Sequence, residues 1–192
     1  EIRGILSRLP SDQSYLLKDP RMVLTWPLWQ SFLADPVVVF VYRSPLAVAT
    51  SLQRRNGFPL SLGLQLWEIY NQRALDALHD HDAVSVAFES VLSAPESALA
   101  ELLEKLNALG VHCDTQPRLT AVDASLGKSG AVSPESHKRL LTDTQLELAV
   151  YCDALCAGEP LPPRPPLEEV VWSRVQDMAT ALAPLARVHE TR

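Results

Sequence analysis

The sequence predicts an α/β fold with a mainly parallel sheet, and three observations lead to this prediction. Short β-branched runs alternate with longer segments of helical periodicity, which is the arrangement found in parallel sheets. The clearest run, Val37–Tyr42, is continuous and apolar, as expected for a strand that is covered on both faces. The chain has 192 residues, of which 47% are hydrophobic and 21% charged, so it has the composition of an ordinary globular domain.

Two elements are predicted before this central strand. Tyr15–Leu17 is expected to be a short buried strand that leads into the Lys18–Arg21 loop, because Pro20 favours an extended conformation at Asp19. Leu24–Ala34 is expected to be a short helix, because its tryptophans and leucines recur at helical spacing.

A helix start follows the central strand. Ser44 is a favoured residue for an N-cap and Pro45 for the first helical position, so a helix is predicted to run to about Arg55. Asn56–Pro59 contains Gly and Pro and should end that helix. Leu60–His79 is then predicted to be a second, longer helix.

The remaining elements continue the alternation of strand and helix. Val84–Phe88 is a predicted strand, and Ser93 with Glu96 has the capping-box pattern for a helix that reaches about Leu109. Helical periodicity fails from Gly110 to Gly130, and long irregular segments of this kind are often functional. The last predicted elements are a helix over Ser133–Ala157, a stiff linker with five prolines over Gly158–Pro166, and a helix over 167–185.

These elements give a predicted domain organisation. Residues 1–157 form an α/β domain, residues 158–166 a proline-rich linker, and residues 167–192 a C-terminal helix. Three convincing strands are few for an open sheet, which usually has about four to six. Because the chain also begins at Glu1 rather than Met, we expect it to be N-terminally incomplete, as a fragment or a trimmed form.

Composition excludes several classes of partner. The formal net charge of −6, from 17 basic and 23 acidic residues, argues against a general nucleic-acid binder. No apolar run is long enough to span a membrane, so no membrane partner is expected. Three scattered cysteines do not make a disulfide framework, and a reducing, cytoplasmic location is predicted. Cys152 and Cys156 are expected to be core residues, and no metal is predicted.

Polar residues follow two of the predicted strands, at Lys18–Arg21 and at Arg43–Pro45. In open parallel sheets, ligands bind beyond the carboxyl ends of the strands. A helix that begins at Ser44 would present free N–H groups and a positive dipole end to an anion, and Arg43 would add a planar pair of donors suited to phosphate. Ser51 lies two helical turns beyond Ser44 on the same face, so Arg43 and Ser51 could bind one phosphate. The alternative is that Arg43 pairs with a surface acid.

With these residues the chain resembles the sulfotransferases that use 3′-phosphoadenosine-5′-phosphosulfate (PAPS), especially the bacterial branch. The resemblance extends over roughly Tyr15 to Leu109. Its most specific part is the combination of Arg43, Pro45 and Ser51 after a hydrophobic strand, strengthened by the Lys-Asp-Pro-Arg run. The supporting segments are Val39–Leu52, Arg55–Phe58, Leu66–Asn71 and Val84–Glu89.

The resemblance implies a P-loop NTPase-like three-layer α/β/α fold with a helical C-terminal part. It implies transfer of a sulfuryl group from PAPS to a hydroxyl or amine of a carbohydrate or small molecule, with adenosine 3′,5′-bisphosphate as the product. Arg43 and Ser51 match the residues that bind the 3′-phosphate of PAPS in this family. Lys18 resembles the catalytic lysine that approaches the transferring group, where a cation offsets charge on the bridging oxygen.

Two further cations are candidates for nucleotide binding. Arg21 either supports the nucleotide pocket or pairs with an acid, and the structural role is favoured. Lys128, in the Leu126–Gly130 segment, resembles a basic loop that closes over the nucleotide in the family. A solvated loop lysine is the favoured alternative for this residue.

The chain departs from the family in one respect. No Gly- and Ser/Thr-rich loop for the 5′-phosphosulfate precedes Lys18. One rival hypothesis is therefore a catalytically incomplete nucleotide-binding module derived from the sulfotransferase fold. A second rival, another P-loop relative such as a nucleotide kinase, needs a Walker lysine and a carboxylate for Mg²⁺, and neither is seen. The acceptor, the general base and the oligomeric state are not specified by the sequence.

Overall fold

The structure is a computed structural model that describes residues 2–9, 14–111, 122, 140–166 and 173. These residues contain helices and two strands. The predicted mixture of helices with a parallel sheet is confirmed at this coarse level. In chain order the elements are α1 (Ile2–Leu6), α2 (Met22–Trp29), a 3₁₀ turn (Gln30–Phe32), β1 (Val38–Tyr42), α3 (Pro45–Asn56), α4 (Leu60–His79), β2 (Ala83–Ala87), α5 (Phe88–Ser93), α6 (Pro95–Ala108) and α7 (Asp143–Ala157).

The chain divides into two compact units that interleave along the sequence. The first unit comprises Glu1–Tyr42 and Arg73–Ala124, and it contains the sheet. The second comprises Arg43–Gln72 and Ser125–Arg192, and it contains α3, most of α4, and α7. The boundary between the two units therefore follows β1 directly.

The sheet of the first unit pairs β1 with β2 in parallel, in a register that runs from Val38 opposite Ala83 to Tyr42 opposite Ala87. Side chains on a strand alternate between its two faces. Tyr42 is buried at 2% exposure, whereas the neighbouring Val41 is 55% exposed. The prediction that this strand is covered on both faces is therefore wrong at Val41, which no described element covers.

Both units contain buried apolar residues, and each large buried side chain contributes about 1.5–3 kcal/mol. The buried apolar residues of the first unit are Phe40, Tyr42, Leu75, Ala77, Val84, Val86, Ala98 and Leu106. Those of the second unit are Leu46, Ala49, Leu62, Leu64, Trp67, Ile69, Leu148, Ala149, Cys152 and Ala154.

The predicted strand at Tyr15–Leu17 is wrong. These residues are irregular, and Leu16 is 81% exposed. A strand is stable only when its backbone groups pair with a neighbour. No described strand pairs with this segment, so its apolar character alone does not make it a buried strand.

The predicted helices α3 and α4 are confirmed, while two other helix starts differ from the prediction. Ser93 is not an N-cap: it ends α5, and its hydroxyl donates to the carbonyl of Ser90. Ala94 and Pro95 begin α6 instead. The helix predicted over Ser133–Ala157 is not continuous: Leu141 and Thr142 are not helical, and α7 begins at Asp143, where Thr142 and Gln145 form a reciprocal capping box. The predicted start at Ser133 lies outside the described residues.

Several predictions fall on residues outside the described ranges. These are Lys128, the segment before Leu140 and nearly all of the C-terminal helix predicted at 167–185. Among the helices that are described, none combines the length and the apolar character needed to cross a membrane.

Candidate functional site

The junction between β1 and α3 lies at the start of the second unit. Ser44 is the N-cap of α3, with φ of −58° and ψ of 144°, and Pro45 occupies the first helical position. This part of the prediction is confirmed. The hydroxyl of Ser44 makes no capping hydrogen bond to the first turn of α3. The N–H groups of that turn therefore receive no cap from Ser44, which suits the binding of an anion.

The backbone at this junction is held by α4. The indole Nε1–H of Trp67 donates to the main-chain carbonyl of Arg43 at 2.9 Å, across 24 residues of sequence. Trp67 is only 2% exposed, so the donor side of this hydrogen bond is buried, while Arg43 is half-buried.

Ser51 lies on α3, the helix that begins at this junction. Ser51 is half-buried and lies two turns beyond the N-cap Ser44, on the same side of the helix. The chain thus brings Arg43 and Ser51 into one short, helically ordered segment. Their joint binding of a phosphate stays a prediction.

Close packing between α3 and α4 supports this segment. A Cβ atom placed on Gly63 of α4 would lie 2.8 Å from the Cα and 2.9 Å from the Cβ of Ala49 on α3. Ala49 is fully buried, and it forms a small apolar cluster with Leu46 and Leu64. The two helices approach as closely as they do because position 63 has no side chain.

A different geometry is found at the Lys18–Arg21 loop of the first unit. Asp19 accepts three hydrogen bonds from Arg21, from its main-chain N–H at 2.9 Å and from Nε and Nη2 at 3.0 and 2.7 Å. The side-chain hydrogen bond from Arg21, followed by the one from its backbone, lowers the pKa of Asp19 to about 2. The Arg21 side chain is nevertheless 81% exposed, and Lys18 is exposed as well.

The predicted site residues thus fall into two groups. Lys18 and Arg21 belong to the first unit, while Arg43 and Ser51 belong to the second. Each group is ordered by contacts within its own unit. Lys128 lies outside the described residues.

A buried polar network in the second unit was not predicted from the sequence. Gln72 is fully buried, and its Nε2 donates to the main-chain carbonyl of Pro165 at 2.9 Å. Arg164 donates in return from Nη2 to the Gln72 main-chain carbonyl at 2.7 Å and from Nε to its side-chain oxygen at 3.2 Å. The proline-rich segment is therefore bound along α4 by hydrogen bonds.

A second buried polar pair lies one turn earlier on α4. Gln145 donates from Nε2 to the Glu68 carboxylate at 2.9 Å, and both side chains are 3% exposed. Glu68 and Gln72 are four residues apart, and Gln65 and Asp76 continue the same polar stripe along α4. A polar stripe on a helix ordinarily predicts an exposed face, so the sequence carries no local signal for this buried network.

Of the two cysteines of α7 predicted to be core residues, Cys152 is buried, whereas Cys156 is only half-buried. Cys152 is fully buried, and burial, then the neighbouring Cys156, raises the pKa of its thiol to about 12. A thiol in this state is a poor nucleophile and a poor metal ligand. Among the described residues, no three His, Cys, Asp or Glu side chains are grouped so as to bind a metal ion. The expectation that no metal is needed stays a prediction.

The β1–α3 junction is the candidate ligand site, because it combines a cation, a helix N-terminus and a hydroxyl on one ordered segment. No family model, no curated protein and no solved structure matches the chain. Any assignment of function therefore depends on the chemistry of this junction.

Proposed function

We propose that the chain is part of a PAPS-dependent sulfotransferase, and that the β1–α3 junction binds the 3′-phosphate of the nucleotide. The observation that supports this proposal is the arrangement on one segment of Arg43, the first turn of α3 and Ser51. An arginine supplies a bidentate pair of donors, a helix N-terminus supplies main-chain donors, and a serine hydroxyl supplies one more. All three favour a doubly charged phosphate.

The proposed reaction transfers a sulfuryl group to a hydroxyl or amine of a carbohydrate or small-molecule acceptor. The acceptor atom forms a bond to sulfur, the bond from sulfur to the bridging oxygen breaks, and the acceptor proton leaves to a base. Adenosine 3′,5′-bisphosphate departs with the electron pair of the broken bond. Lys18 is proposed to stabilise the charge that develops on the bridging oxygen. Arg21 and Lys128 are proposed as further contacts to the nucleotide, and the whole protein as a three-layer α/β/α fold of the P-loop NTPase type.

One observation favours the alternative, a nucleotide-binding module that does not catalyse transfer. The strand expected to position Lys18 is not formed among the described residues, and Lys18 is exposed. A lysine that is not held in place contributes little to the stabilisation of a transition state. Both hypotheses require the 3′-phosphate site, and they differ only in turnover.

The test is a titration of the 192-residue chain with adenosine 3′,5′-bisphosphate and with adenosine 5′-monophosphate, followed by thermal unfolding. At 100 times its dissociation constant, the bisphosphate should stabilise the protein by about 2.7 kcal/mol. The monophosphate lacks the 3′-phosphate and should bind more weakly. Equal stabilisation by the two ligands would contradict the proposal.

Variants of two arginines on the same segment locate the site. Arg43→Ala should weaken bisphosphate binding roughly 10- to 100-fold, because a charge-assisted hydrogen bond is worth about 1.5–3 kcal/mol. Arg54→Ala is the matched control, since Arg54 is exposed in the last turn of the same helix. It should change the dissociation constant less than about twofold. Sulfate transfer by the same preparation, if observed, would decide between the enzyme and the binding module.

A further inference from the structure

The helix α4 carries a tryptophan whose polar atom contacts the backbone of the candidate site. We propose that Trp67 is a positioning residue for the 3′-phosphate site, acting through the peptide bond between Arg43 and Ser44. This inference rests on the proposed function. It adds that a residue with no contact to the nucleotide determines how well the site discriminates for the 3′-phosphate.

The hydrogen bond from Trp67 fixes one peptide plane. The carbonyl that accepts it, at 2.9 Å, belongs to Arg43, and the same planar peptide carries the N–H of Ser44. Fixing this plane restrains ψ of Arg43 and φ of Ser44. Those two angles set where α3 begins and in which direction the Arg43 side chain leaves the backbone.

A second contact from the same face of α4 restrains α3 further along. Gly63 lies one turn before Trp67, so the two residues are neighbours on the helix surface. A Cβ on Gly63 would approach the backbone of Ala49 to 2.8 Å, so α3 rests directly on α4 at this point. Ala49 lies between Arg43 and Ser51. The segment that carries both ligand groups is therefore held at its start and near its middle.

The indole that donates this hydrogen bond is buried in the second unit. Trp67 is 2% exposed, and its own carbonyl accepts a hydrogen bond from the Asn71 side chain at 2.7 Å. A buried tryptophan can also support the site only by filling space, without its hydrogen bond. Removal of the indole N–H with retention of an aromatic ring separates these two roles.

The experiment compares Trp67→Phe with Trp26→Phe in the full 192-residue chain. Trp26 is the matched control, because its indole nitrogen is buried and has no hydrogen-bond partner among the described residues. Dissociation constants are measured by calorimetry for adenosine 3′,5′-bisphosphate and adenosine 5′-monophosphate. Trp67→Phe should weaken bisphosphate binding about fivefold, the effect of one hydrogen bond, and leave monophosphate binding within about twofold. Trp26→Phe should change neither.

The outcomes that overturn the inference are distinct from failure of the proposed function. If the wild type prefers the bisphosphate and Trp67→Phe matches it within about twofold, the positioning role is wrong and the proposed function stands. If Trp67→Phe weakens both ligands equally, the residue acts only through general stability, and the inference is again wrong. If the wild type shows no preference for the bisphosphate, the proposed function itself fails.

A spectroscopic measurement on the wild type covers the case in which Trp67→Phe does not fold. The chain has four tryptophans, so four indole N–H resonances are expected in a ¹H–¹⁵N correlation spectrum. The Trp67 resonance is the one that persists in the Trp26→Phe, Trp29→Phe and Trp172→Phe variants. It should shift on addition of the bisphosphate and stay in place with the monophosphate. An unmoved resonance at saturating bisphosphate would overturn the inference.

Discussion

Two cation-bearing turns of this protein differ in what holds them. The Lys18–Arg21 loop is ordered by hydrogen bonds between Asp19 and Arg21, two residues apart, and both cations are exposed. The β1–α3 junction is ordered by Trp67, 24 residues away from Arg43. The first turn is a local structure, while the second depends on the packing of two helices.

The comparison indicates where precise ligand geometry is available. The Lys18–Arg21 loop is stabilised mainly by contacts between residues close along the chain, and its Lys18 side chain is exposed. A junction held from a neighbouring helix is rigid as long as that helix is in place. Binding sites that discriminate between ligands need the second kind of support.

The largest effect should come from changing the contact between the two helices. Gly63→Ala places a Cβ within 3 Å of the Ala49 backbone, so we expect a loss of about 1–3 kcal/mol in the free energy of unfolding. Chemical denaturation measures this loss. Gly4→Ala is the matched control, because a Cβ there meets no atom within 4 Å in α1. It should be neutral or slightly stabilising. Similar effects of the two substitutions would show that α3 and α4 are not tightly packed at Gly63.

A loss of the same order should follow from breaking the network that binds the proline-rich segment. Gln72→Leu keeps the side-chain volume but removes the donor to Pro165 and the acceptor for Arg164. We expect a loss of about 1–3 kcal/mol, at the lower end if Arg164 keeps its bond to the main-chain carbonyl.

A control for this change is Asn71→Leu, in which the lost hydrogen bond stays within one helix. Thermal unfolding of both variants measures the difference. If Gln72→Leu lowers stability no more than Asn71→Leu does, the segment is held by other contacts.

The smallest effect on stability should come from the local loop. Arg21 holds the pKa of Asp19 near 2 instead of 3.8. With an ordinary pKa in the unfolded chain, Asp19 would favour the folded protein above pH 3.8, and this contribution would be lost as the pH falls through 2. Because the interaction joins exposed residues two positions apart, we expect it to form in the unfolded chain as well, so that the contribution to stability largely cancels. We therefore expect Arg21→Ala to return the pKa of Asp19 toward 3.8 with almost no change in melting temperature at pH 7.

Carbonyl NMR of the Asp19 side chain over pH 1.5–6 measures that pKa directly. Lys18→Ala is the control, since the attraction of Lys18 is the last of the causes that lower the pKa. A large drop in melting temperature for Arg21→Ala would show that the loop has long-range contacts and would break the comparison between the two turns.

Much of the fold could be predicted because it depends on local chemistry. Ser44 and Pro45 begin α3, and Gly57 ends it in the left-handed conformation, with φ of 70°. The residues that begin and end a helix lie at its ends in the sequence, so the sequence alone can reveal them. The start of α7 was missed although it has an equally local signal, the capping box of Thr142 and Gln145.

The sequence predicted which residues form the candidate site, but not what holds them in place. Arg43 and Ser51 were identified from a strand end and a helical spacing. The support from Trp67 was not, because an apolar spacing does not tell a packing tryptophan from a hydrogen-bonding one. The prediction of a strand at Tyr15–Leu17 was wrong for a related reason: its apolar residues suit a strand, but a strand also needs a neighbouring strand with which to pair.

The sequence by itself determined the helices α3 and α4, the strands β1 and β2, and the residues that could bind an anion, because capping, β-branching and periodicity act between residues close along the chain. Only the tertiary structure decided which apolar residues are buried, that Gln72 binds the proline-rich segment, and that Trp67 holds the Arg43 peptide. These contacts join residues 24 to 93 positions apart. They form only when whole helices pack, so no local pattern specifies them.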